Sequence, residues 1–218
     1  ALARAESGGS VIARQPCDLV ALVMDVIQDS LPRAMDRHID LGYEGLDPGS
    51  AGVVLEANPT LLKGKRIAIG CTNGVEEVEI TGSMRWLSEH GATVHVVSPR
   101  IGEFDPTLGL RFPSQCATHV LAIRLMENAG WLKIDCYMDE AKIADYDACI
   151  FPGGCWNPDF LRADKNAQKF VQDMLASGKP TCAICHGQWV MVSAGILKGK
   201  SVTTVKKCRF DAEVCGAK

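Results

Sequence analysis

Short apolar runs alternate with helix-patterned segments from Lys65 onward, and this alternation most constrains the fold. Three of the runs are RIAIGC, ATVHVVSP and DACIFPGG, and each has the length and composition of a buried strand. Strands that are apolar on both faces and separated by helices form parallel sheets covered on both sides. The sequence therefore predicts an α/β protein with a mostly parallel central sheet and right-handed crossover connections.

Helical period and turn residues predict the other elements of this region. The stretch PSQCATHVLAIRLMENAG is expected to form a helix that begins at Ser114 and ends at Gly130. Further strands are expected at KIDCYM, TCAIC and SVTTV. The predicted helices span residues 76–91, 113–130, 159–177 and 186–197.

Residues 1–60 have a different pattern from the main domain, which we place at residues 61–218. In CDLVALVMDVIQDSL, apolar residues recur at helical spacing from Leu19 to Leu31, and Asp18 precedes them as a helix cap. Pro32 then interrupts the helix. We therefore expect a helical N-terminal extension that packs on the main domain or on a neighbouring subunit.

Charge and hydropathy exclude several classes of protein. The formal net charge of −3 gives no reason to expect nucleic acid or an anionic membrane as partner. There is no apolar run of the roughly 18 residues that a membrane span needs, and the first residues lack the layout of a secretory signal. We expect a cytoplasmic protein whose ten scattered cysteines are mostly buried thiols rather than disulfides.

Cys185 marks the end of one predicted strand, and His186 begins the next predicted helix. Reactive groups in an open parallel sheet gather beyond the carboxyl ends of the strands. A tight turn from strand to helix lifts a nucleophile above the sheet and needs small neighbours, which Ala183 and Gly187 provide. The N-terminal end of the helix is expected to favour the thiolate over the thiol.

An oxyanion site is expected beside this cysteine. The backbone N–H of His186 and one N–H from the Gly153–Gly154 turn are the candidate donors to a developing negative charge.

Four motifs together resemble the ThiJ/PfpI family of the class I glutamine-amidotransferase-like superfamily. They are AICHG at 183–187, PGG at 152–154, NPDFLR at 157–162 and GVEEVEI at 74–80, and the resemblance covers about 63–208. It implies a flavodoxin-like three-layer sandwich with Cys185 as the nucleophile. It also implies a buried glutamate touching the sulfur, which is Glu79, with Glu76 as the alternative.

The resemblance also implies how protons are handled. Two negative groups in a dry pocket repel, so a protonated Glu79 is expected to donate to the Cys185 sulfur, and the two groups titrate as a pair. In protease-like members, the histidine after the cysteine is oriented by an acid of a neighbouring subunit. Asp159 stands where that acid is expected, although adjacent side chains such as Cys185 and His186 usually diverge on a sharp turn.

The function that follows is a cysteine-dependent hydrolase or lyase acting on a small carbonyl or peptide substrate. Amide hydrolysis, glyoxalase-type conversion of methylglyoxal and deglycation all start with the same attack, and none needs a metal or another cofactor. The family's usual assembly implies a homodimer or a larger homo-oligomer. The alternative is a stress protein in which Cys185 senses oxidants, or a chaperone that holds unfolded clients.

Two further expectations concern other cysteines and the C-terminus. Cys182 and Cys185 are not expected to form a redox pair, because residues three apart in a strand face opposite ways. Cys155 is expected to be either a buried thiol or a partner for oxidised Cys185. Relatives usually continue with a strand segment and a closing helix, so either the sequence is incomplete after Lys218 or the N-terminal extension replaces that cover.

Overall fold

The computed structural model describes residues 62–101 and 116–218, together with the backbone of 15–18 and 54–57. The chain divides into two compact units, Ala1–Leu61 and Leu62–Lys218. In the first unit, strand β1 (Gln15–Asp18) pairs antiparallel with β2 (Val54–Ala57). Asp18 therefore ends a strand, and the helix predicted after it lies outside the described residues.

Five parallel strands form the central sheet of the second unit. Their order is β10 (Thr181–Ala183), β9 (Ala148–Phe151), β3 (Arg66–Gly70), β5 (Thr93–Ser98) and β8 (Cys136–Tyr137). Every neighbouring pair in this sheet is parallel, as the alternation of apolar runs and helices predicted.

The central strands are apolar on both faces because each face packs against its own core. Ala68 of β3 and Val97 of β5 lie in one cluster of buried side chains. Their neighbours Ile69 and Val96 lie in the other cluster. Successive side chains of a strand point to opposite faces, so the sheet lies between two cores.

Helices cover both faces of the sheet. Ile80 of α1 (Glu77–Glu89) lies in the same cluster as Ile69. The opposite face is covered by α2 (Asn157–Ala163), α3 (Lys165–Ala176) and α4 (Gln188–Ser193), through Leu161, Val171 and Val190. The arrangement confirms the expected flavodoxin-like sandwich.

The helix predicted over 113–130 is wrong in the described part of that range. A hairpin of β6 (His119–Arg124) and β7 (Glu127–Lys133) occupies it, and β6 pairs parallel with β4 (Val75–Glu76). Four consecutive residues of β6, 120–123, are buried, which one face of a surface helix does not allow. The glycine expected to end the helix instead has a φ of 111° beside a bulge in the hairpin.

Three other predicted elements also need correction. The helix expected over 159–177 is two helices, because Asp164 interrupts it and caps α3 by accepting the Ala167 N–H at 2.8 Å. The helix expected over 186–197 is a 3₁₀ turn, Cys185–Gly187, followed by the six-residue α4. SVTTV forms no strand and leads into the helix α5 (Arg209–Val214).

Candidate active site

Cys185 lies on a strained turn at the carboxyl end of β10. Its φ is 53°, in the left-handed region that residues with a side chain rarely adopt. Gly187 allows this turn to pack against β9, since an added Cβ would lie 2.0 Å from the carbonyl oxygen of Phe151. The turn therefore holds the thiol at the edge where the parallel strands end.

Glu79, in the first turn of α1, places its carboxyl group beside this thiol. The two side chains are hydrogen bonded, and the Gly153 N–H donates to Glu79 Oε2 at 2.5 Å. A Cβ on Gly153 would lie 2.8 Å from Cys185 Cβ and 3.0 Å from Glu79 Oε2. Only a glycine fits between the Cys185 side chain and the Glu79 carboxylate. Gly153 therefore positions Glu79, and its N–H is not free for an oxyanion.

Glu76, the alternative acid, faces a different group. Its carboxylate accepts the Leu125 N–H of the β6–β7 hairpin, with Oε2 at 3.1 Å. Its charge nevertheless adds to the increase in the pKa of Glu79. Glu79 is therefore the glutamate that touches Cys185, while Glu76 acts on the site through its negative charge.

Burial dominates the electrostatics of the pair. It raises the pKa of Glu79, although the Gly153 N–H and the thiol oppose this by hydrogen bonding to the carboxylate. Burial and then the charge of Glu79 raise the pKa of Cys185 to about 11, against the stabilising N–H of His186. Burial and the charge of Glu79 thus oppose the resting thiolate expected from the sequence. The helix α4 begins only at Gln188 and is short, so its dipole is weak at the sulfur.

We expect the resting pair to keep its proton on sulfur, because the pKa of the thiol is raised, with the thiol donating to the carboxylate. A protonated Glu79, expected from the sequence, is the other state of the same pair. A raised pKa brings Glu79 closer to neutral pH, where a general base works best. The arrangement can transfer the thiol proton to Glu79 as the sulfur attacks.

His186 also contacts the thiol, contrary to the expected divergence of adjacent side chains. Its Nδ1 lies 3.1 Å from Cys185 Sγ. The imidazole packs edge-on against Trp189, with 5.0 Å between ring centroids, and Trp189 is held by a bond from Nε1 to Asp211 Oδ2 at 3.0 Å. The ring of His186 is therefore oriented by α4 and α5.

Asp159 lies in the first turn of α2 and is exposed. Within 62–101 and 116–218 its side chain has no hydrogen-bond or ion-pair partner. A contact with a histidine of another subunit stays a prediction.

Asn157 is a site residue whose role the sequence did not indicate. Its buried amide accepts the Thr72 N–H at 2.7 Å and donates to the carbonyl oxygens of Pro152 and Gly153 at 2.7 and 3.0 Å. It thereby joins the loop after β3 to the turn that carries Gly153. The sequence feature that could have indicated this role is an asparagine at the start of a helix, three residues after PGG.

Gly154 is the remaining candidate for an oxyanion donor. Its φ is 110°, and an added Cβ would lie 2.1 Å from the carbonyl oxygen of Gly74. Among the described residues its N–H has no partner, so Gly154 stays a predicted oxyanion donor.

Cys155 is exposed rather than buried, and its thiol donates to the Leu125 carbonyl oxygen at 2.9 Å. The described part of the chain has no group of three or more His, Cys, Asp or Glu side chains placed to hold a metal ion. Its helices are too short or too polar to cross a membrane.

Comparisons with known proteins found a matching family and several similar proteins. The sequence model of the DJ-1/PfpI family matches residues 65–218. Protein/nucleic acid deglycase 2 of Escherichia coli is 29% identical over 153 residues, covering 70% of this chain and 78% of that protein. The putative cysteine protease YraA of Bacillus subtilis is also 29% identical over 153 residues, covering 70% of this chain and 79% of that protein.

A solved structure has the same fold. It is a two-domain protein of Anabaena variabilis with DJ-1/ThiJ/PfpI-like and ferritin-like domains, and it superposes with a TM-score of 0.59 at 27% identity. The match covers 70% of this chain and 38% of that one.

Proposed function

The chain belongs to the DJ-1/PfpI family, and we propose that it is a cysteine-dependent hydrolase or deglycase acting on small carbonyl or amide substrates. The observation that carries the proposal is the contact of the Cys185 thiol with both Glu79 and His186 at the carboxyl end of the sheet. Relatives named as a deglycase and as a cysteine protease support the same class of reaction. No metal or other cofactor takes part in this scheme.

The reaction begins with attack of Cys185 Sγ on the carbonyl carbon of the substrate. A carbon–sulfur bond forms, the π electrons of the carbonyl move to oxygen, and the thiol proton passes to Glu79. The N–H groups of Gly154 and His186 are the donors proposed for the resulting oxyanion. Glu79 then returns this proton, through the His186 imidazole, to the leaving nitrogen or sulfur, whose bond to carbon breaks as the carbonyl re-forms as a thioester of Cys185. Water attacks the thioester carbon, the carbon–sulfur bond breaks, and the sulfur takes back a proton as the acid product leaves.

Among the reactions that share this attack, deglycation is favoured by one observation. The proton acceptor beside the thiol is Glu79, whereas His186 has no acid partner among the described residues. Proton exchange between the sulfur, Glu79 and an aldehyde-derived adduct needs no acid beyond these groups. Peptide hydrolysis in the manner of a triad needs Asp159 of a second subunit.

We therefore expect the two reactions to differ in their dependence on assembly. In a cytoplasmic homodimer or larger homo-oligomer, Asp159→Asn should reduce peptide hydrolysis and leave deglycation nearly unchanged. Equal loss of both activities would contradict this division.

The test of the proposal is a substrate panel on the full chain. The panel contains methylglyoxal, methylglyoxal adducts of small thiols and amines, and peptide amides. We expect Cys185→Ser to reduce turnover at least about a thousand-fold, because a serine hydroxyl beside Glu79 is a far poorer nucleophile. Cys155→Ser, which changes an exposed thiol, is the control and should retain activity. Turnover that survives in Cys185→Ser would refute the proposal.

A sensor in which Cys185 reacts readily with oxidants receives less support. Oxidation follows thiolate character and exposure, and burial together with the charge of Glu79 raises the pKa of Cys185 to about 11.

A further inference from the structure

The imidazole of His186 keeps its contact with the reactive thiol without an acid beside it. Its Nδ1 lies 3.1 Å from Cys185 Sγ, and among the described residues the ring has no carboxylate partner. In a catalytic triad, an acid bonded to the imidazole holds it in one orientation. Here another group has to hold the ring, because a turn of the side chain would break its contact with the sulfur.

Trp189 packs against this imidazole and is itself held at two points. The two rings meet edge-on, with 5.0 Å between centroids and 71° between planes, which is a favourable aromatic arrangement. The indole Nε1 donates to Asp211 Oδ2 at 3.0 Å. The guanidinium of Arg162 lies over the indole face, with Cζ 5.2 Å from the ring centroid. The indole beside His186 is therefore fixed at its edge and at its face.

Both of these supports belong to packed helices of the same subunit. Arg162 of α2 is held by a bond from Nε to Ser193 Oγ at 3.1 Å. Asp211 of α5 precedes Ala212, which is buried in the same core cluster as Val190 of α4. The helices α2, α4 and α5 thus set the position of the indole without a contribution from another chain.

We propose that Asp211 is a positioning residue for the Cys185 reaction, and that it keeps the His186 imidazole on the sulfur through the indole of Trp189. The inference rests on the proposed function, because the orientation of His186 affects turnover only if a proton passes through its ring. Asp211 acts through an intervening side chain as the acid of a triad acts by direct contact. It does not touch the substrate, so its loss should lower kcat and leave KM nearly unchanged.

The test compares kcat and KM of three variants of the full chain on the substrate panel. Asp211→Ala and Trp189→Phe each remove the indole bond but leave an aromatic ring beside His186, so each should lower kcat about ten-fold or more, with KM within about two-fold. Combining them should slow the enzyme no further than the slower single change, because both break one bond. Asp211→Asn keeps an acceptor oxygen and should retain kcat within about three-fold of the wild type.

Glu213→Ala is the matched control, with the folded fraction of every variant checked by urea denaturation. It removes a carboxylate from the same helix, where that group pairs with exposed Arg209 at 2.9 Å, and it should keep the wild-type kcat. Wild-type kcat in Asp211→Ala, an equal loss in Glu213→Ala, or a double variant slowed by the product of the two single effects would overturn the proposal.

Alkylation of Cys185 by iodoacetamide separates failure of this inference from failure of the proposed function, because it needs no substrate. The thiol has one proton and is expected to give it to Glu79, so the Nδ1 contact is a hydrogen bond when Nδ1 donates to sulfur. Loss of a donor disfavours the thiolate. Peptide-resolved mass spectrometry at pH 8 should therefore show Cys185 alkylated about two-fold or more slowly in Asp211→Ala and Trp189→Phe.

The two measurements have distinct outcomes. If no substrate of the panel turns over but these two variants slow the alkylation of Cys185, the proposed function fails and the positioning of His186 stands. An unchanged alkylation rate in both Asp211→Ala and Trp189→Phe would overturn the inference whether or not the wild type turns over a substrate.

Discussion

At the level of single residues, the chemistry depends on one proton between Cys185 and Glu79. The carboxylate raises the pKa of the thiol by its charge and by accepting a hydrogen bond, so it suppresses the thiolate at rest. The same carboxylate is the group nearest to receive the proton during attack. Glu79 therefore restrains the nucleophile before the reaction and assists it during the reaction.

Replacing Glu79 by glutamine should separate these two effects. Gln keeps the size and a hydrogen bond to the sulfur but cannot accept the proton, so we expect turnover to fall about a hundred-fold or more. The measurement is kcat/KM against pH on the best substrate of the panel. Glu76→Gln also removes one charge but leaves the proton acceptor in place, and it should lower kcat/KM by less than about ten-fold. Wild-type activity of Glu79→Gln at every pH would exclude the proposed proton transfer.

Sequence motifs predicted the positions of Cys185 and Glu79 but not their ionisation. Strand, turn and helix signals locate a cysteine at a strand end, and the family motifs locate a glutamate after the first strand. The pKa of each depends on burial and on the distance between two residues 106 positions apart, and the motifs do not encode that distance. The orientation of His186 and the bridging role of Asn157 were missed for the same reason, since both depend on contacts between separate loops.

At the level of elements, the site depends on how closely the Cys185 turn approaches β9. The three atoms nearest to a Cβ added at Gly187 are backbone atoms of Phe151 and Pro152, and all lie within 3 Å of it. Gly187→Ala should therefore force the turn and β9 apart and lower the free energy of unfolding by about 3 kcal/mol. Urea denaturation monitored by tryptophan fluorescence measures this change.

Gly82→Ala is the matched control for that substitution. Gly82 lies inside α1, and an added Cβ meets no atom within 4 Å. The substitution should raise the free energy of unfolding by about 0.5 to 1 kcal/mol, because alanine loses less backbone entropy in a helix. Equal effects of the two substitutions would contradict the close approach at Gly187.

The hairpin that sequence patterns assigned to a helix was misassigned for a physical reason. A run such as 120–123 is apolar at every position, so its periodicity does not distinguish a buried strand from a buried helix. The hairpin is stabilised because β6 pairs with both β4 and β7. The pairing with β4 joins distant parts of the chain, so the local sequence pattern does not reveal it. Strands β3, β5 and β9 were predictable because each is a short apolar run bounded by turn residues.

At the level of the whole molecule, the buried carboxyl of Glu79 couples stability to pH. Its pKa is raised above the ordinary value of 4.5 by burial, so the folded protein holds this proton at pH values where the unfolded chain has released it. The contribution to stability is complete below about pH 4.5 and is lost as pH rises through the folded pKa.

This coupling predicts a difference between wild type and Glu79→Gln. The free energy of unfolding of the wild type should fall relative to that of the variant as pH rises above 4.5 and then level off. Urea denaturation at a series of pH values measures the difference. A constant difference, or one that grows in favour of the wild type, would show that the carboxyl is not destabilised by burial.

The central claim is that Glu79 holds the proton of the pair on the Cys185 sulfur, and the pH dependence of Cys185 alkylation tests it most directly. Peptide-resolved mass spectrometry separates Cys185 from the other cysteines in both wild type and Glu79→Gln. We predict that wild-type Cys185 is alkylated with an apparent pKa near 11 and that removing the carboxylate moves this pKa downward. A wild-type pKa below about 8, or a pKa that is unchanged or higher in Glu79→Gln, would contradict the account.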